Sequence, residues 1–230
     1  MGQAHKAVPA SLRTPRAAAV AGILFSLLLG LAFTLIQLSV PSNPADAGAW
    51  LTDPNRRTAV AVALNLVPFA AIAFLWFMGV VRDRIGQQED RFFATVFLGS
   101  GLLFTAMLLV AAAVAGGVLA DPAIETGRPP APELWGFARR FVYTLMNIYA
   151  IRMGAVFILS TTTIALRTGI LPRWLGVGGY IVAVPLLISV SLPEWVTLLF
   201  PAWTLVLSLN ILFASLKPGR QAGLGSDVQR

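Results

Sequence analysis

Six stretches of 19 to 29 residues carry no charge, or in one case a single charge, and they constrain this chain more than anything else in it. They run over residues 17–40, 58–81, 92–120, 141–166, 174–192 and 195–216. A helix of about 20 apolar residues crosses a hydrocarbon layer of about 30 Å, and lipid admits it because all its backbone N–H and C=O groups pair internally. Each stretch is long enough to span, the fifth only just. The expected fold class is therefore an all-α integral membrane protein: a six-transmembrane-helix bundle over residues 17–216 with short tails at 1–16 and 217–230. Only 12% of the chain is charged, about half the share in a soluble domain, so no soluble domain is expected.

The charges that exist sit where they orient the bundle. With the amino terminus inside, eleven basic residues fall on the inner side: Lys6, Arg13, Arg16, Arg82, Arg84, Arg91, Arg167, Arg173, Lys217, Arg220 and Arg230. Five fall on the outer side: Arg56, Arg57, Arg128, Arg139 and Arg140. The positive-inside rule then places both termini in the cytoplasm of a multi-pass membrane protein. The net charge of +7 reads as topology plus attraction to anionic membrane lipids; it lacks the interleaved aromatics of a nucleic-acid groove, and no nucleic-acid partner is expected. The apolar run after the basic tail exceeds the 7–15 residues of a cleaved signal, so it reads as an uncleaved first span. Outer loops are expected at 41–57 and 121–140. Trp50, Trp135 and Trp195 near outer boundaries and Trp174 at an inner one suit interfacial belts.

Two patterns speak to packing. Ala18, Gly22, Ser26, Gly30 and Thr34 recur every fourth residue on the first helix, a stripe along which backbones can approach closely. It serves either as an internal packing face or as a seam for a homo-oligomer or a partner membrane subunit. Asn65 and Asn147 are polar groups inside the second and fourth spans, able to face each other as interhelical glue.

Arg152 stands apart. Counted from Phe141 it lies about 16 Å into a core of about 30 Å, and a charge at that depth faces the bundle interior, a wet cavity or a partner. On an ideal helix Leu145, Tyr149, Val156, Ser160 and Thr163 share its side while Asn147 points away. No Asp or Glu lies within a span. Three readings are open: satisfaction by carbonyls freed at Pro68, Pro185 or Pro201; binding of an anionic group of a ligand or lipid; or an acid on another subunit.

Enzyme chemistry finds little to work with. The chain has no cysteine and one histidine, His5, in the tail, which removes thiolate, haem and zinc sites and any Ser–His dyad. No catalytic residue, metal or cofactor is expected. The fragment Gly169-Ile170-Leu171-Pro172-Arg173-Trp174-Leu175-Gly176 and the opening Arg16-Ala17-Ala18-Ala19-Val20-Ala21-Gly22-Ile23-Leu24-Phe25 resemble a group of bacterial polytopic membrane proteins, DUF4386-like. The resemblance implies a bacterial cytoplasmic-membrane location and carries no site residue. The leading expectation is a protein that binds or translocates a small anionic or amphipathic ligand in a cavity around Arg152, with Tyr149, Ser160, Thr163, Asn65 and Asn147 as contributors. Its rival is a scaffold or accessory subunit that docks through the stripe of the first helix.

Overall fold

The computed structural model describes residues 14–41, 48–85, 91–167, 169, 172–188 and 194–216. The tails, including His5, and the end of the expected fifth span lie outside them. The described chain is helical, with no strand: α1 (Thr14–Ser39), α2 (Pro54–Ile85), α3 (Arg91–Leu119), the short α4 (Pro122–Glu125), α5 (Pro132–Thr144), α6 (Ile151–Arg167), α7 (Arg173–Ile188) and α8 (Leu199–Leu216). A π-helical segment, Leu145–Ala150, joins α5 to α6, so that 132–167 is one long helix. Single 3-10 turns precede α2 (Ala49–Thr52) and α8 (Glu194–Leu198).

Five of these helices are long and apolar enough to cross a membrane: α1, α2, α3, the α5–α6 rod and the helix ending in α8. The fifth expected span is described only as a shorter helix. Helix α7 has 16 residues, about 24 Å against a layer of about 30 Å. The fourth span differs in the other direction, because the loop expected through residue 140 is helical from Pro132 onward. Pro132 supplies a fixed φ at the first turn and Glu133 suits the positive end of the helix dipole, so the helix starts nine residues before the apolar stretch does.

The surface is compatible with a lipid solvent. On α1 the buried Ala18, Phe25, Leu29 and Ala32 lie opposite Val20, Leu24, Leu27 and Leu31, which are exposed yet equally apolar. Phe69, Ile72 and Trp76 do the same on α2, and Val177, Ile181 and Ile188 on α7. In water such patches would drive aggregation; here they are the face turned to acyl chains.

The helices close into a ring in which α1 packs on α2, α2 on α3, α3 on α6, α6 on α7 and α8 back on α1. Phenylalanines fill its centre. Phe74 of α2 lies 4.6 Å from Phe25, 5.0 Å from Phe157, 5.7 Å from Phe104 and 5.7 Å from Phe200, ring centre to ring centre. Five different helices thus meet in one plug of aromatic rings, whose tilted and edge-on contacts add stabilisation beyond apolar burial.

The α1 stripe divides. Ala18, Gly22 and Ser26 are buried, whereas Gly30 is half-buried and Thr34 exposed. At Gly22 an added Cβ would meet Ser208 of α8 and the Phe77 ring of α2, while at Gly30 nothing lies within 4 Å. Its first half is therefore an internal packing face, and Ser26 and Thr34 return their hydroxyls to the carbonyls of Gly22 and Gly30.

Candidate functional site

One end of the bundle carries a folded cap. Trp50 and Leu51 from the 3-10 turn, Ile124 from α4, and Trp135 and Ala138 from α5 form a second, smaller core with Val60 and Val118. The cap folds through local chemistry: the Asp121 carboxylate accepts from the Ala123 N–H to cap α4, and Gly48 takes φ +84°, a left-handed conformation open to glycine at little cost. Arg57 donates to the Ile124 carbonyl at 3.3 Å. Two of the four tryptophans expected at interfaces are inside instead. Trp50 and Trp135 are both buried and meet edge to face at 5.9 Å, while Trp174 and Trp195 are exposed, as interfacial residues should be.

Between this cap and the phenylalanine plug lies a cavity of about 260 Å³. Its walls are the cap-end halves of α1 (Phe33, Ile36, Gln37), α2 (Val60, Leu64, Val67) and α3 (Leu108, Ala111, Ala112, Ala115), together with α5 and the π segment. The cavity exists because the side chains are small where they face it. The sequence from Val110 to Gly117 is entirely alanine, valine and glycine, and Ala138 stands across from it on α5. The lowest wall residues, Phe33, Val67 and Leu108, sit one to two helical turns above Phe25, Phe74 and Phe104, so the plug is the floor.

Polar groups in this apolar chamber are few and grouped. Arg139, Tyr143 and Asn147 follow one another at four-residue steps along α5 and the π segment, and Gln37 and Thr197 are the other polar wall residues. The Arg139 guanidinium donates to the Pro41 carbonyl at 3.2 Å and lies 5.9 Å from the Trp135 ring centre. Gln37 donates to Thr197 Oγ1 at 3.3 Å. Helices α1 and α5 scarcely touch, and the Arg139–Pro41 bond ties α5 to the chain just beyond α1. In the same wall the Trp50 indole N–H is buried without an acceptor among the described residues, a situation that costs about 1–3 kcal/mol unless a partner arrives.

The residues singled out from the sequence are distributed differently. Arg152 lies below the cavity and does not line it. Its Nη1 donates to the carbonyl of Ile148, one turn back on its own helix, at 2.7 Å. The carbonyl belongs to the π segment and is not one freed at Pro68, Pro185 or Pro201. Tyr149 is exposed on the lipid side. Ser160 donates to the Phe157 carbonyl at 3.0 Å, and Thr163 Oγ1 lies 2.8 Å from the Leu159 carbonyl and 2.8 Å from the Tyr180 hydroxyl. These hydroxyls serve helix backbone and the α6–α7 contact, away from the cavity. Asn65 is exposed and donates to the Ala61 carbonyl, and Asn147 donates to that of Tyr143. Of the two asparagines only Asn147 reaches the cavity.

What the sequence reading missed is Arg139 and the alanines. In the sequence Arg139 reads only as an outer-loop charge that sets orientation. The signal available for the cavity was the alanine-rich second half of α3, which holds small side chains where the other spans place Leu or Phe. Among the described residues no group of three or more His, Asp or Glu side chains is placed to hold a metal ion. No protein family, curated protein or solved structure matches this chain.

Proposed function

We propose that this membrane protein binds a small single-chain amphiphile with an anionic head, its tail in the apolar cavity and its head at Arg139. The observation that carries the reading is the arrangement of the cavity itself: an apolar chamber closed at one end by aromatic rings, with a guanidinium and a short row of polar side chains on one wall. At about 30 Å³ per water-sized group, the chamber takes roughly nine methylenes. An acyl chain gains little on leaving one apolar medium for another, so discrimination falls to the head, for which an arginine fork suits carboxylate or phosphate. Arg139 lies about 20 Å along the helix from Arg152, just before the apolar stretch begins, where a charge sits at headgroup depth.

This reading moves the ligand from Arg152 to Arg139, and it favours binding over passage because the phenylalanine plug fills the bundle beneath the chamber. It takes the membrane to be the bacterial cytoplasmic membrane with both termini inside, as the basic residues indicate, so that the cap is extracytoplasmic. A docking scaffold gains less support, since Gly22 and Ser26 of the α1 stripe are already covered from within.

The test uses the full chain purified in a neutral maltoside detergent and titrated with decanoate or, at matched concentration, decyltrimethylammonium. Decanoate is expected to raise the melting temperature and the cationic amphiphile to leave it unchanged. Arg139→Gln should remove the decanoate effect. Equal shifts with both amphiphiles, or a decanoate shift that survives Arg139→Gln, would refute the reading.

A further inference from the structure

The rod from Pro132 to Arg167 presents one inward face along its whole length: Trp135, Ala138, Val142 and Met146 toward cap and cavity, then Gly154, Ala155, Ile158 and Ala165 in the core. A regular α-helix cannot do this. From Ala138 to Gly154 is 16 residues, and at about 100° each they carry the chain about 160° past a whole number of turns, nearly to the opposite side. The π segment takes one residue out of that count and leaves about 60°, which fits within one packing face.

A π turn has its own difficulty in lipid. Its backbone bonds reach five residues back, as the Ile151 N–H does to the Met146 carbonyl, and the turn around it is widened and out of line with the α-helical ladder on either side. Lipid supplies no water to the carbonyls of such a turn, so a side-chain donor within reach is their available extra partner. The Ile148 carbonyl lies inside this segment, and Arg152 Nη1 reaches it at 2.7 Å. The bond is charge-assisted and lies at the depth where a charge is hardest to keep.

The geometry points to Arg152 as a positioning residue that holds the π turn by capping its Ile148 carbonyl, and so sets the phase that turns Arg139, Tyr143 and Asn147 toward the cavity. The guanidinium thereby acts on the cavity wall without touching it. This assignment concerns the shape of the wall and stands apart from the identity of any ligand.

It has a test that reads the coupling directly. Deleting Tyr149, an exposed residue of the π segment, converts the rod to a regular α-helix whose two halves keep their faces in phase, and with no π turn the Ile148 carbonyl is served by the α-helical ladder. Arg152→Leu in the full chain is expected to lower the folded-to-unfolded ratio by about tenfold or more, the loss of one charge-assisted bond. Arg152→Lys, which keeps a charged donor, should fall between. In the Tyr149-deleted chain Arg152→Leu should cost less than in the full chain, by the share that the Ile148 bond carries. As a structural readout, Asn147→Cys gives the only thiol in a chain that lacks cysteine; its labelling rate by N-ethylmaleimide should change with Arg152→Leu in the full chain and not in the deleted one. Equal damage in both backgrounds overturns the assignment, as does harmlessness in both. A Tyr149-deleted chain that does not fold overturns it too, because the phase argument requires that chain to fold.

Discussion

Replacing Gly22 and Gly30 separately by Ala asks whether the small-residue stripe of α1 works inside one bundle or between copies. The two glycines lie eight residues apart on the same face, yet their surroundings differ. At Gly22 the new Cβ would stand 2.8 Å from Cδ2 and 3.0 Å from Cε2 of Phe77, and closer still to Ser208 Oγ. Neither neighbour can retreat: Phe77 is fully buried with its ring stacked on Phe74 at 6.3 Å, and Ser208 is buried too. Overpacking of this kind costs about 1–3 kcal/mol, against about 1 kcal/mol of helix propensity gained by Gly→Ala. Gly22→Ala should therefore lose about 1 kcal/mol net. At Gly30 no atom lies within 4 Å, so only the propensity gain of up to about 1 kcal/mol remains. With about 2–4 °C per kcal/mol for a chain of this size, the two variants should melt about 4–8 °C apart, Gly30→Ala the higher. The assay is thermal unfolding in maltoside followed by tryptophan fluorescence, with the oligomeric state read by size-exclusion light scattering. Gly22→Ala melting at or above Gly30→Ala would refute the reasoning. Equal losses at both positions together with a broken oligomer would mean that the whole stripe is a seam between copies.

Two other substitutions bear on the plug and the chamber above it. Phe74→Ala should destabilise by about 3–5 kcal/mol, seen as a large drop in melting temperature, because its ring touches those of four other helix segments; a loss below 1 kcal/mol would show that the cluster does not organise the core. Ala111→Leu adds three carbons, roughly 90 Å³ at about 30 Å³ per group, into a void of about 260 Å³. At about 24 cal/mol per Å³ the filled void should stabilise by up to about 2 kcal/mol while abolishing the response to decanoate; destabilisation with the response intact would place the cavity elsewhere.

The membrane class and the positions of most helices were legible because they depend on one variable, the length of uncharged sequence. That variable fails at edges. Helix α5 carries Glu133, Arg139 and Arg140, and a window scored on hydropathy stops at Phe141, although nothing in those side chains opposes helix and Pro132 favours its start. The Arg152 neighbourhood failed for a different reason. Assigning faces at a constant 100° per residue assumes an unbroken α-helix, and one π turn between Leu145 and Ala150 shifts everything beyond it by about a residue's rotation. Tyr149 was thus placed beside the arginine, yet it looks out to lipid. Arg139 was hidden by an assumption about topology: counted as one of five outer charges, it had already been given a reason to exist. The division of the α1 stripe lay beyond the sequence because it depends on which helices reach α1 and how far up, a property of the assembled ring.

The aromatic plug and the chamber over it also divide the protein by compressibility. Close-packed rings yield almost no volume under load, whereas a void gives up its volume when its walls move in. Hydrostatic pressure, or a change in the lateral squeeze of the surrounding lipid, therefore acts unequally on the two ends of the same helices. Volume yielded under load therefore comes from the cap end, where the cavity lies, while the packed rings of the plug hold theirs.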